Sequence, residues 1–155
     1  MKRAIALLEK HNLLKIISDE LDINLEIPHI AYVEVKKADS KAILFTNVVD
    51  RKNGKKFKEP VLMNVFCNED AVKLFIGDGD KIGSEIESLL KLKPPVTFSE
   101  KLSTLGKLFS LKNTIPKKIK GKGICQEVIK LGADAKLSDL PVIKTWEEDG
   151  GAFIT

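Results

Sequence analysis

The stretch "KAILFTNVVDRKNGKKFKEPVLMNVF", residues 41–66, decides the fold class. It holds two β-like runs, 41–49 and 60–66, with a charged tract between them. Asn53 and Gly54 form a turn pair, so the runs predict a hairpin with a long charged tip. Working outward, the grammar is mixed. Upstream, "RAIALLEKHN" places Ile5, Leu7 and Leu8 on one helical face, and Asn12 stops it. "LLKIISDEL" reads as extended. "LEIPHIAYVEVKK" reads as a helix capped by Asn24, with Pro28 confined to the first turn, where a missing amide proton costs little. Downstream, Asn68 is a helix cap, Glu69 and Asp70 face the helix dipole, and Gly77 closes "AVKLFIG". Two further helices are expected in "GDKIGSEIESLLKL" and "TFSEKLSTLGKLFSLKN", parted by Pro94 and Pro95.

The bulk numbers agree with an ordinary globular protein. The chain has 155 residues, 43% hydrophobic and 31% charged, which argues against disordered and fibrous classes. A net charge of +4 comes from 26 Lys and Arg interleaved with 22 Asp and Glu, so electrostatics neither demands nor forbids nucleic acid. Cys67 and Cys125 are too few and too isolated for a disulfide framework or a thiolate metal site, and both read as reduced and structural beside apolar neighbours. Glu9 and Lys10 interrupt the apolar N-terminal run before it reaches signal-peptide length, and no run is long enough to span a membrane. A cytoplasmic protein is expected.

At "LKNTIPKKIKGKG", residues 111–123, the composition shifts to Lys with Pro and Gly and loses its apolar period. Beyond it, "ICQEVIKL", "PVIKTW" and "AFIT" read as strands and "LSDL" as a helical turn capped by Ser138. The fold class is therefore α+β: an N-terminal mixed α/β domain over 1–113, a Lys-rich connection over 114–123, and the first strands of a β-rich domain over 124–155.

Little of this carries obvious chemistry. "GDGDKIG", residues 77–83, has neither dinucleotide nor P-loop spacing, follows a helix, and carries Asp78 and Asp80, which repel phosphate; it reads as an inter-helix turn. His11 and His29 have no Cys or Asp in ligand spacing. Ser99 and Ser138 read as caps. Lys112, Lys117, Lys118, Lys120 and Lys122 lack interleaved aromatics for base stacking and read as a solvated connection. Glu147, Glu148 and Asp149 are consecutive, so they cannot all face one site from a strand; they read as a charged turn before Gly150 and Gly151, whose backbone freedom admits a close approach.

These closing residues carry a resemblance. "LPVIKTWEEDGGAFIT", residues 140–155, resembles the segment of UbiD-type decarboxylases in which an acidic Asp-Gly-Gly turn leads into a flavin-binding domain. "CQEVI" and "LSDLP" are similar to the stretch just upstream in that family, and "ALLEKHNLLKI", "DINLEIPHIAYVEVKK", "AILFTNV" and "PVLMNVF" resemble its N-terminal domain in order and spacing. The resemblance covers essentially the whole chain.

It implies a non-oxidative carboxy-lyase acting on aromatic or unsaturated carboxylic acids, often in quinone biosynthesis, with prenylated FMN as electron sink and a divalent metal at the flavin phosphate. It also implies that the β-rich domain is a truncated, split-barrel-like flavin-binding domain. In that family the catalytic and metal-binding residues follow the "GGAFIT" segment, so no catalytic or metal residue is expected here. Gly150, Gly151, Phe153, Ile154 and Thr155 are expected to begin the strand that runs toward the flavin, with Thr155 nearest the site. The resemblance thus predicts an inactive N-terminal portion, with no cofactor bound to this chain alone. Its partners are the remainder of the parent chain, an aromatic acid for the whole enzyme, and further copies in a homo-oligomer.

The ending "AFIT" leaves two readings open. Phe153 and Ile154 suit a core rather than a free terminus, which fits truncation of a longer enzyme. The alternative is a stand-alone, non-catalytic partner-binding or scaffolding module whose open strands pair with another chain. Neither needs nucleic acid.

Overall fold

The computed structural model describes residues 1–91, 116, 118 and 120–153. The helix expected in "TFSEKLSTLGKLFSLKN" lies outside the described residues, as do Ser99, Lys112, Lys117, Ile154 and Thr155. The chain forms two compact units, Met1–Gly77 with Ala133–Thr155, and Asp78–Gly132.

The first unit is mixed α/β, in agreement with the α+β expectation. Helix α1 (Lys2–Lys10) buries Leu8 and half-buries Ile5 and Leu7, then ends as Asn12 adopts φ 56°. Strand β1 (Leu14–Asp22) follows, then helix α2 (Glu26–Val35) and strand β2 (Ala42–Asp50). β1 and β2 are parallel, with Leu14 opposite Ala42 and Ile17 opposite Phe45. Parallel neighbours need a crossover, and α2 supplies it. The register shifts between Ile17 and Glu20, so Ser18 and Asp19 face one β2 residue and form a bulge.

The predicted hairpin is present. β2 runs antiparallel to β3 (Lys55–Lys56) and β4 (Val61–Met63), with Phe45 opposite Val61 and Val49 opposite Lys56. Gly54 turns the tip at φ 61°, a value natural to glycine. Four consecutive β2 residues, Ala42 to Phe45, are buried in this central strand, which pairs with β1 on one edge and β4 on the other. Phe45, Ile43 and Val48 form the core with Ile23, Ile27, Phe57 and Val61. Pro28 occupies the third position of α2, where no intrahelical donor is lost.

Helix α3 (Glu69–Ile76) begins as predicted: the Asn68 side chain accepts from the Ala71 amide at 2.9 Å and donates to the Ser40 carbonyl at 2.8 Å. Gly77 at φ 102° ends it. In the second unit Asp78 caps α4 (Gly79–Leu90), so "GDGD" is the expected turn between helices. Lys118, Lys120 and Lys122 are exposed.

Residues 124–153 depart from expectation. "ICQEVIKL" forms a single 3-10 turn at Ile124–Gln126 and no strand, and Cys125 is exposed instead of structural; Cys67 is buried and free. "LSDL" is a 3-10 turn, Leu137–Asp139, but Lys136 precedes it and Ser138 lies inside without capping. "PVIKTW" makes one ladder contact, an isolated parallel bridge between Lys144 and Asn24. Ala152 and Phe153 are not in a strand. A β-like sequence becomes a strand only where a neighbouring strand completes its hydrogen bonds, and among the described residues this segment has one such neighbour, for one residue.

Two measurements follow. Phe45→Ala opens a cavity in the middle of the core and is expected to cost about 3–5 kcal/mol in denaturant unfolding. Glu34 is buried on α2, and its carboxylate receives Lys37 at 2.8 Å with Lys15 at 3.5 Å. The Lys37 hydrogen bond, aided by the Lys15 charge, outweighs burial and holds its pKa below the usual 4.5. A carboxyl that binds its proton less tightly when folded stabilises the fold above its unfolded pKa, and that stabilisation disappears as pH falls through the lower folded value. Unfolding followed between pH 7 and 2 should therefore show a steeper acid loss for the native chain than for Glu34→Gln.

Candidate functional site

The corner between β1 and α2 anchors the surface on which a site could be built. Its sequence is "LDINLE", residues 21–26. The Asp22 carboxylate accepts from the Asn24 amide at 3.0 Å, and Glu26 Oε2 accepts from the Asp22 amide at 2.8 Å. Arg51, just past β2, donates to Glu26 Oε1 at 2.5 Å and to the Glu20 carbonyl at 3.2 Å. The Asp22 amide and the Arg51 guanidinium together hold the Glu26 carboxyl below its usual pKa. Asn24 does not cap the helix. The N-cap position falls to Leu25, at φ 70° and ψ −32°, with the Glu26 amide bonded to the Asn24 carbonyl at 3.0 Å. That geometry is close to a γ-turn, a strained conformation for a leucine.

The C-terminal segment docks on this corner. The Lys144 amide donates to the Ile23 carbonyl at 3.1 Å, and the Leu25 amide donates to the Lys144 carbonyl at 3.2 Å. Ile143 packs on the core. Two residues on, the Trp146 amide donates to Asp149 Oδ2 at 2.9 Å, the Asp149 amide returns to the Trp146 carbonyl at 3.2 Å, and Lys144 Nζ reaches the Glu147 carbonyl at 2.8 Å. The acidic residues therefore build a turn, as expected, with Asp149 fastening it. Gly150 and Gly151 follow in open space, Gly151 at φ 156°.

The docked segment borders two apolar grooves. One, of about 520 Å³, lies against α2 and is lined by Pro28, Tyr32, Val35, Met63 and Trp146. Its wall is an edge-to-face pair, with the Tyr32 and Trp146 ring centroids 5.4 Å apart. The other, of about 700 Å³, lies against the hairpin and is lined by Phe57, Leu137, Leu140, Val142 and Phe153, with Lys55 at its edge. Lys55 donates to the Ser138 carbonyl and to Asp139 Oδ1 (3.2 Å), with its ammonium 5.2 Å from the Phe57 ring centre.

Of the predicted cofactor residues, Phe153 is 56% exposed and lines the second groove, and Gly150 and Gly151 form the turn leading to it; Ile154 and Thr155 lie outside the described residues. A flavin phosphate calls for a cation or open helix amides. Among the described residues lining this groove the one cation, Lys55, is already engaged, and Asn53 is bonded to Asp50. Among the described residues no group of three His, Cys, Asp or Glu is placed to hold a metal ion. The residues lining this groove therefore do not by themselves fit a flavin phosphate.

Burial pushes the Cys67 thiol up, away from nucleophilic use, and His11, just past α1, and His29, on α2, are both exposed. The arrangement can bind apolar surface and hold a backbone turn. Sequence reasoning missed the Glu26 and Arg51 pair and the Tyr32 and Trp146 stack, whose members are far apart in the chain and carry no local pattern. The described residues include no helix long and apolar enough to cross a membrane.

Comparison with known proteins shows the family. Residues 5–90 match the family model for the 3-octaprenyl-4-hydroxybenzoate carboxy-lyase N-terminal domain, and residues 117–155 match that for the carboxy-lyase Rift-related domain. An uncharacterized protein of Helicobacter pylori (strain ATCC 700392 / 26695) is 39% identical over 160 residues, covering 100% of this chain and 26% of its own length. Uncharacterized proteins of Aquifex aeolicus (36% over 151 residues) and Aeropyrum pernix (31% over 150) each cover 96% of the chain, and 29% and 30% of their own lengths. The chain thus spans between a quarter and a third of the relatives it matches. With the N-terminal model alone matching more than half of its residues and the Rift-related model following in order, the chain belongs to the UbiD family of carboxy-lyases, as an N-terminal portion.

Proposed function

We propose that this chain is the N-terminal scaffold of a non-oxidative decarboxylase acting on an aromatic or unsaturated carboxylic acid. The observation that carries the reading is the order of the two family matches, 5–90 and then 117–155, in a chain spanning 26–30% of its relatives. The name of both family models refers to a prenylated hydroxybenzoate, an aromatic acid, which supports that substrate class and a role in quinone biosynthesis.

In this reading the parent enzyme works in the cytoplasm, as a homo-oligomer, and binds prenylated FMN with a divalent metal. The flavin supplies an electron sink for loss of carbon dioxide. Residues after the Lys-rich connection open a split-barrel-like flavin-binding domain, and Gly150, Gly151, Phe153, Ile154 and Thr155 lead its first strand toward the cofactor. Phosphate ligands, metal ligands and proton-transfer groups come from the remainder of the parent chain. The role of residues 1–77 and 133–149 is to hold that strand and to present apolar surface beside it.

The test compares the 155-residue chain with the full product of its gene. Each is supplied with prenylated FMN, a divalent metal and a panel of aromatic and unsaturated acids, and released carbon dioxide is measured. The full product is expected to turn over at least one acid and the 155-residue chain none. Turnover by the chain alone would overturn the division of labour; a full product of only 155 residues, inert toward every acid, would favour a partner-binding module.

A further inference from the structure

We infer that the Glu26 and Arg51 pair is a positioning device that sets where the Asp-Gly-Gly turn lies on the fold. This rests on the proposed decarboxylase reading for its catalytic consequence, but its structural part stands on the geometry of the corner. Both oxygens of the Glu26 carboxylate are committed, one to the Asp22 amide and one to Arg51. Arg51 spends its second nitrogen on the Glu20 carbonyl. Three pieces of chain are thereby tied at one point: the end of β1, the first turn of α2 and the start of the hairpin tip.

Leu25 sits inside that knot with a positive φ. A leucine stays in such a conformation only where its surroundings over-determine it. The conformation has a use. It aims the Leu25 amide at the Lys144 carbonyl while the Ile23 carbonyl takes the Lys144 amide, so that Asn24 and Lys144 form the one ladder contact between the C-terminal segment and the rest of the unit among the described residues. From Lys144 the path to Gly150 is short and stiff. Lys144 Nζ and Asp149 close the turn, and Trp146 rests on Tyr32 of the same helix that Glu26 begins. Moving the start of α2 moves both supports of the turn together.

The second attachment of the segment, Lys55 to Ser138 and Asp139, lies upstream of Lys144 and does not set the direction in which the chain leaves toward Gly150. Glu34 offers a contrast within the same helix: it is also ion-paired, to Lys15 and Lys37, but lies two turns away from the corner. The positioning role therefore predicts that two charged pairs on one helix differ in kind.

Trp146 is the sole tryptophan of the chain, so its emission and its quenching by acrylamide report docking of the turn directly. In the 155-residue chain, Arg51→Ala and Glu26→Gln should red-shift Trp146 emission and raise its quenching, whereas Glu34→Gln, which only weakens the fold, should leave both at native values. In the full-length parent, Arg51→Ala should lose roughly tenfold to a hundredfold in kcat, the scale of a small misplacement near reacting groups, with KM little changed. Arg51→Lys, which retains the charge opposite Glu26 but loses the fork that also reaches the Glu20 carbonyl, should recover only part of that loss. Native quenching and kcat in Arg51→Ala would overturn the inference. So would equal changes in Glu34→Gln, or a Trp146 shift without loss of kcat. If the native parent releases no carbon dioxide, the decarboxylase reading fails, and Trp146 quenching alone then decides whether the pair positions the turn.

Discussion

The parallel pairing of β1 with β2 is the constraint from which the rest of the unit follows. Two parallel strands cannot be joined by a tight turn; the chain must leave the sheet, cross a face and return. The crossing helix α2 buries Ile27 and Ala31 against the sheet and so places its N-terminal turn beside the end of β1. The hairpin then covers the other side of β2 and sends Arg51 back to that same turn. Core and corner are two results of one topological requirement.

Much of this architecture was legible in the sequence because it is written locally. The Asn53 and Gly54 turn, the apolar runs of the hairpin, the Asn68 cap with its acidic first turn and the Gly77 stop each involve neighbours in the chain, and each was found where its chemistry pointed. The parallel register was not legible, since it depends on pairing Leu14 with Ala42 across a helix. Asn24 looked like the cap because its side chain suits the role; the structure uses Leu25 instead because the backbone there must reach Lys144. "ICQEVIKL" has strand composition, but composition does not supply the neighbouring strand that a ladder needs.

The candidate site divides the same way. Gly150, Gly151 and Phe153 were expected from a motif; Phe153 borders a groove. The groove itself, and the Tyr32 with Trp146 wall of its neighbour, are products of tertiary packing between residues distant in the chain. What the described residues assemble there is apolar channels and a braced turn.

The bond from the Leu25 amide to the Lys144 carbonyl also sets a schedule. β1, α2, β2 and β4 lie within residues 14–63 and can assemble while the chain is still being synthesised. Lys144 is made about 120 residues after Leu25, which at about 5–20 residues per second is roughly 6–24 s later. Over that interval the corner is held without Lys144, by Asp22, Glu26 and Arg51 together with the Ile23 amide on the Val49 carbonyl and the buried Ile23 and Ile27, all of which leave the ribosome early. The brace is in place before the load arrives, and the turn that follows Lys144 meets a surface already formed to receive it.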